Sequence, residues 1–170
     1  MNQSIKLTLT IFSFIALSFA FVYAADTQTI AATVTFQQVS LSVSDGSVAY
    51  GVVPASGTAN TVALTDSQII TNTGNVNEDF DIKGLATTTG GTCTHWTILE
   101  SGIPDANQYG HEWSINAGSA WDRFTSVYEE FASNKAPSAT TTLDLRITMP
   151  SASDCLAAQN VDVTVQASAH

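Results

Sequence analysis

The chain has 170 residues, with 15 acidic and five basic side chains and a formal net charge of −10 at pH 7. Such an acidic surface repels nucleic-acid phosphates and anionic lipid, so we expect neither as a partner. The length suits one domain, which buries enough apolar surface to fold without a metal or cofactor, and we expect none.

Residues 1–24 have the pattern of a secretory signal peptide. Lys6 precedes a long apolar run, and Val22 and Ala24 supply the small residues of a cleavage site. An uncleaved membrane anchor is the alternative, since the run is just long enough to span a bilayer. The Ala-rich end favours cleavage. We predict a protein that leaves the membrane, is secreted to the cell surface or beyond, and has its domain in residues 25–170. Without Lys6 its 15 acidic and four basic side chains give a charge of −11.

The segment QTIAATVTF, residues 28–36, is uncharged and alternates with a period of two. Its inward set would be Ile30, Ala32, Val34 and Phe36. After Gln37 and Gln38 the apolar residues change to the other phase. A slip of one residue predicts a β-bulge, at which the first strand passes from one sheet to the other.

Alternation continues along the chain, and helical spacing is weak. It predicts further strands over 47–53, 61–72, 76–84, 140–149 and 160–167, and around Trp96 and Trp113. In these strands Val62, Leu64, Phe80, Ile82, Leu143, Leu145 and Ile147 would point inward, with Asp144 and Arg146 outward. Residues 121–137 mix both spacings, and we predict a strand that runs into an irregular or one-turn helical corner. About eight to ten short strands indicate an all-β fold, a single antiparallel immunoglobulin-like β-sandwich.

The segment TNTGN interrupts two strand patterns at Asn72, Gly74 and Asn75. It predicts a turn in which Gly74 takes a positive φ and the asparagines bond their own backbone. The alternative is an oxygen-rich calcium site completed by the acidic residues that follow. Those residues alternate with Phe80 and Ile82 along a strand, so they would not converge as calcium ligands do. We therefore predict a turn and no metal.

Cys93 and Cys155 are the only cysteines. An even pair in an exported chain predicts a disulfide between them, and free or intermolecular thiols are the alternative. Neither lies in a CxxC motif, which argues against a zinc or redox role.

Motifs of enzymes are missing from the sequence. The pair His111-Glu112 lacks the second histidine, four residues after the first, that a zinc protease needs, and no G-x-S-x-G elbow occurs. We predict no enzymatic activity. Among the aromatic residues, Trp96 and Trp113 fall on the apolar phase of their strands and are expected in the core. Tyr109 and Trp121 are the candidate rings for binding a sugar.

Two stretches resemble a known group of proteins. The turn I-x-N-x-G-N, followed by V-x-E-x-F-x-I over residues 70–82, resembles the immunoglobulin-like modules of bacterial and archaeal surface proteins. These include CARDB-type adhesion modules and the TasA-like subunits of biofilm fibres. The later APSATTTLDLRITMP looks like the strand that follows a corner in those modules. The similarity of pattern covers most of residues 29–167.

The resemblance implies self-association, because TasA-like fibres add a strand from one subunit to the sheet of the next. We expect a structural subunit of an extracellular surface or biofilm-matrix filament, a homopolymer built by donor-strand exchange through residues 28–36. The alternative for this segment is pairing within its own domain. The alternative function is a secreted adhesive or carbohydrate-binding module, which would bind glycans or other matrix proteins through loops near Tyr109 and Trp121.

Overall fold

A computed structural model of the chain describes residues 28–88, 93 and 95–170. These residues divide into a short unit that ends at Thr35 and a main unit, Phe36–His170. The signal peptide predicted over residues 1–24 lies outside the described residues. Within that part, no helix is long and apolar enough to cross a bilayer.

The regular secondary structure of the described residues is almost entirely β, which confirms the predicted all-β sandwich. They form ten strands and one short helix, α1 (Thr61–Leu64). The strands are β1 (Leu41–Val43), β2 (Thr58–Asn60), β3 (Gln68–Asn72), β4 (Glu78–Gly84), β5 (Thr97–Ile98), β6 (Gln108–Ser114), β7 (Asp122–Arg123), β8 (Glu129–Lys135), β9 (Thr140–Thr148) and β10 (Val163–Ala169).

Two sheets form the sandwich. The large sheet has the order β1-β3-β9-β6-β5, with β2 added beside β9 and β7 beside β6. The small sheet has the order β10-β4-β8. Every pair of strands is antiparallel except β5 and β6, which are parallel.

The core lies between the two sheets, where the inward phase of each strand meets the other sheet. Residues buried there include Ile70, Trp113, Leu143 and Leu145 from the large sheet and Phe80, Ile82 and Phe131 from the small one. The ring of Phe131 lies 6.0 Å from that of Phe80 and 6.1 Å from that of Trp113, between centroids. The predicted alternation of β4 and β9, and the core positions of Trp96 and Trp113, are confirmed.

The predicted strand over 61–72 is wrong in its first half, which forms α1. The side chain of Asn60 accepts a hydrogen bond from the N–H of Ala63 and caps the helix. Val62 and Leu64, predicted to point inward, are each 41% exposed. The strand begins only at Gln68, as β3.

Asp144 was predicted to face solvent, and it is buried. Its carboxylate accepts hydrogen bonds from the hydroxyls of Thr61, in α1, and Ser67. The short helix therefore covers Asp144, although the alternation of β9 places this residue on the outward, polar face.

Two further segments differ from the sequence-based expectation, and a third matches one of its two alternatives. Residues 28–40 form no strand, so the predicted bulge at Gln37 and Gln38 is absent, and the first strand begins at Leu41. Residues 47–53 are likewise outside any strand. The segment 121–137 contains β7, an irregular stretch over 124–128 and then β8, so the irregular alternative for the corner is observed and the helical turn is not.

Cys93 and Cys155 form the predicted disulfide, with 5.2 Å between their Cα atoms. The amide of Gln159 donates to Sγ of Cys155 over 2.9 Å. The bridge therefore fixes the start of the segment that leads into β10.

Candidate functional site

A cleft of about 540 Å³ opens between the two sheets on the side of β10. Core residues of the large sheet form its floor. One wall is β10 together with the residues just before it, and the other wall is the segment that follows β1. The lining residues include Val43, Val48, Tyr50, Ile70, Leu143, Leu145, Val161, Val163 and Val165. The cleft thus exposes the side of the core that an added strand would cover.

The first wall ends in a strand with an unpaired edge. Within the described residues β10 pairs only with β4, from Val163 opposite Gly84 to Ala169 opposite Glu78. The other edge of β10 therefore presents backbone donors and acceptors that no described strand uses. The sequence of β10, VTVQASA, carries no charge.

The second wall is residues 47–53, which have a strand pattern but no strand partner. In the described part of the chain, none of their backbone groups takes part in a backbone–backbone hydrogen bond. The carbonyl of Ser47 accepts from the side-chain amide of Gln68 instead, over 3.1 Å. Val48 and Tyr50 pack against the core, whereas Val52 is fully exposed. The space between the two walls lies beside β10, where a further strand of the small sheet would lie.

A second cleft, of about 610 Å³, continues the first, because Tyr50, Gln159 and Val161 line both. It extends to Ala55 on one wall and Cys155 on the other. We call the two clefts together the groove. At its far end Val52 and Leu156 are 103% and 98% exposed, and we call this apolar pair the lip.

The opposite edge of the small sheet is built differently. The sequence of β8, EEFASNK, carries three charged residues, and its register against β4 shifts twice. Charges and irregularities on an edge strand are the usual protection against pairing with another chain. In the small sheet, therefore, β8 is protected and β10 is open.

The segment 28–36, which we call the arm, is exposed and uncharged. Ile30 is 91% exposed, Val34 97% and Phe36 83%, and Ala32 is exposed as well. None of residues 28–36 belongs to a strand in the part of the chain that the structure describes, so the alternative of pairing within its own domain has no support there. The alternating apolar residues of the arm are therefore exposed.

The TNTGN turn between β3 and β4 holds the base of the arm. The side chain of Asn75 accepts from the N–H of Gln38 over 2.8 Å and donates to the carbonyl of Phe36 over 2.6 Å. The backbone N–H groups of Thr73 and Gly74 both donate to the carbonyl of Ser40. These bonds hold residues 36–40 without a strand pair, and we call them the clasp.

Buried polar groups support the clasp from below. The amide of Asn72 donates to the carbonyls of Val76 and Lys135, each over 2.8 Å. The carboxylate of Glu78 is fully buried, and its Oε1 accepts from the N–H of Ser40 over 2.7 Å. The chain therefore turns between β3 and β4, where a turn was predicted, and the same residues hold the base of the arm.

Gly74 is needed for a reason other than the one predicted. Its φ is not positive, but a Cβ at this position would collide with the Glu78 side chain and the Gln38 carbonyl. The asparagines also differ, because Asn72 bonds the local backbone at Gly74 whereas Asn75 reaches the arm. Among the described residues, no three His, Cys, Asp or Glu side chains gather as metal ligands would.

His111 lies in the groove floor and is 1% exposed. Its Nε2 is 2.9 Å from the hydroxyl of Tyr50, and its Nδ1 has no hydrogen-bond partner among the described residues. Burial, together with the positive charge of Arg123, lowers the pKa of His111 to about 3. Burial also raises the pKa of Tyr50, and Asp66 adds to that effect. Both groups are therefore neutral near pH 7.

The aromatic pair predicted to bind sugars is not an exposed platform. Tyr109 is completely buried, and its hydroxyl donates to the carbonyl of Leu85, so this candidate ring offers no face to a sugar. Trp121 is half-buried, with the Arg146 guanidinium 4.7 Å from its ring centroid. Glu112 pairs with Arg146 and holds that guanidinium in place.

Comparisons with known proteins add no relative to this description. No protein-family model matches the chain, and neither a curated protein nor a solved structure matches it significantly.

Proposed function

We propose that this protein is a structural subunit of an extracellular filament, in which the arm of one copy fills the groove of the next as an added strand. The observation that carries the proposal is the edge of β10 that no described strand pairs with, beside residues 47–53, which make no backbone–backbone hydrogen bond within the described part of the chain. Strand addition from another chain satisfies such groups and covers the apolar floor beneath them.

The arm and the groove match in chemistry. Residues 28–36 carry no charge in a chain of net charge −10, and β10 carries none either. The groove floor is formed largely by Ile70, Leu143 and Leu145. An alternating apolar strand suits this surface, whereas an acidic segment from elsewhere in the chain would lose hydration without gaining a charged partner.

They also match in length. An extended segment of nine residues, such as 28–36, spans about 30 Å, and the seven residues of β10 span about 23 Å. The segment 155–165 along the groove wall spans at most about 36 Å. The arm is therefore long enough to run beside β10 and beyond its start without exceeding the groove.

Burial of the arm supplies the driving force. Ile30, Val34 and Phe36 are each more than four-fifths exposed, and burying one such side chain stabilises by about 1.5–3 kcal/mol. Backbone hydrogen bonds to β10 add to this gain, and they offset the entropy lost when the arm is ordered.

Two points support the proposed location and mode of assembly. The Cys93–Cys155 disulfide is compatible with an oxidising compartment outside the cytosol. The proposed cleavage after residue 24 would leave the arm within a few residues of the mature N-terminus, where a donor strand can thread into another molecule.

Electron microscopy with one pair of variants tests the proposal. The chain from residue 25 onward is examined by negative staining and light scattering at rising concentration, as wild type, Val34→Asp and Thr33→Asp. Both variants add one charge to the arm, but only Val34 lies on the apolar phase. We expect filaments from wild type and Thr33→Asp and none from Val34→Asp. A wild type that stays monomeric, or filaments from Val34→Asp, would contradict the proposal.

A further inference from the structure

We infer that the arm inserts from the end of the sandwich opposite to the one it leaves, so that copies join head to tail and the arm runs antiparallel to β10. This inference rests on the proposed function and adds the polarity of the filament, that is, which end of one copy joins which end of the next. It follows from where the clasp, the groove and the lip lie along the strands.

The arm leaves the main unit at the end where β10 finishes. The clasp residue Asn75 lies between β3 and β4. Glu78, which supports the clasp, begins β4 and pairs with Ala169, the last residue of β10. The N–H of His170 donates to the carbonyl of Asn77 at the same place. We call this the clasp end.

The groove opens toward the other end. Of the residues in β10, it contacts Val163 and Val165, in the first half of the strand. It then follows the chain back to Cys155 and reaches Met149, just after the end of β9. Strand β9 starts near the clasp, where Thr140 pairs with Thr71 of β3. The last residues of β9 therefore lie at the opposite end of the sandwich, which we call the lip end.

These positions determine the direction of an inserted arm. An arm that comes from a neighbouring copy through the lip end has its tip, near Gln28, pointing toward the clasp end. It then runs from the clasp end to the lip end, whereas β10 runs from the lip end to the clasp end. The new pair is antiparallel, as are the other pairs of the small sheet. An arm that folded back into its own groove would have to run parallel to β10.

Phe36 gains a specific partner in this arrangement. The clasp holds the Phe36 carbonyl against its own main unit, so the ring stays at the junction of two copies. There it meets the lip of the acceptor, Val52 and Leu156. Three side chains that are each more than 80% exposed in one copy thus cover one another between two copies.

The arrangement produces an open polymer. The donor surface is at the clasp end and the acceptor surface at the lip end, so the contact joins two different patches. Contacts of this type repeat without closing unless the rotation between copies forms a ring.

Cross-linking within assembled filaments tests the polarity. Two double variants are compared, Phe36→Cys with Leu156→Cys and Ile30→Cys with Leu156→Cys, each treated with a short bis-maleimide while the native disulfide stays oxidised. We expect the Phe36 pair to give a ladder of covalent oligomers on a denaturing gel and the Ile30 pair to give none. A ladder or an internally linked monomer from the Ile30 pair would overturn the inference.

A second measurement covers the case in which a cysteine variant fails to assemble. Leu156→Asp charges the lip, and Val127→Asp is its control, an apolar residue 63% exposed beside β8 at the other edge of the small sheet. We expect Leu156→Asp to raise the concentration at which filaments form about tenfold or more and Val127→Asp to leave it unchanged. Equal effects of both would overturn the polarity, while filaments from wild type would still support the proposed function. A wild type without filaments would remove both.

Discussion

Protonation of His111 is expected to destabilise this fold as the pH falls from 7 to 5. The imidazole is buried in the groove floor, contacts the hydroxyl of Tyr50 and has the positive charge of Arg123 nearby. A second positive charge at this place would be dehydrated and unpaired. The folded state therefore resists a proton that the unfolded chain accepts readily.

The size of the effect follows from proton linkage. With a pKa of about 3 in the folded protein and 6.5 in the unfolded chain, the unfolded state binds more protons at every pH between these values. The contribution to stability is complete above pH 6.5 and is lost as the pH falls toward 3. Between pH 7 and pH 5 the free energy of unfolding falls by about 2 kcal/mol from this group.

Urea unfolding followed by tryptophan fluorescence measures this loss, because Trp96 and Trp113 are buried. His111→Gln keeps a hydrogen-bonding partner for Tyr50 without a group that titrates in this range, and His95→Gln removes an exposed histidine as the control. We expect wild type and His95→Gln to lose about 2 kcal/mol between pH 7 and pH 5, and His111→Gln to lose much less. An equal loss in all three would refute the role assigned to His111.

Three further predictions concern the clasp and the bridge. Gly74→Ala is expected to lower the melting temperature by several degrees, because the added Cβ collides with the Glu78 side chain and a backbone carbonyl; an unchanged melt would refute the close approach. Asn75→Ala removes two hydrogen bonds to the base of the arm, so filaments should form only at higher concentration, whereas a melting temperature measured on the monomer should shift little; no change in assembly would contradict the clasp. Reduction of the Cys93–Cys155 bridge, whose residues are 62 apart, is expected to cost about 4 kcal/mol in urea unfolding, and a loss near zero would contradict the chain-entropy account.

Alternation in the sequence predicted the strands that have neighbours on both sides. In β4 and β9 every second residue meets the core, so Phe80, Ile82 and Leu143 follow directly from a period of two. The prediction failed at α1 because the side chain of Asn60 caps the start of a helix. At Val62 this local capping outweighs the preference for a strand that the alternation indicates.

The same alternation failed where no partner strand exists. Residues 28–36 and 47–53 have the composition and period of strands, yet neither forms one. Alternation shows only that a segment favours the strand conformation. A strand also needs a neighbouring strand that supplies partners for its backbone hydrogen bonds. The two segments are the arm and one wall of the groove, which are the two parts of the proposed interface.

The groove itself was beyond the reach of sequence reasoning. It is assembled from segments far apart in the chain, among them residues near Tyr50, Leu143 and Val163. One signal was nevertheless present in the sequence. The strand VTVQASA carries no charge, whereas EEFASNK carries three, and this contrast distinguishes the proposed acceptor edge from an edge with charged side chains.

The most direct measurement is the binding of a free arm to an open groove. A labelled peptide with the sequence of residues 28–36 is titrated with the Val34→Asp chain, whose own arm is impaired, and fluorescence anisotropy is recorded. A peptide that carries the same Val34→Asp change is the control. The account predicts saturable one-to-one binding of the wild-type peptide and none of the control, with slowed hydrogen exchange along β10. Equal binding of the two peptides, or exchange at β10 that does not change, would contradict the claim that the groove accepts the arm.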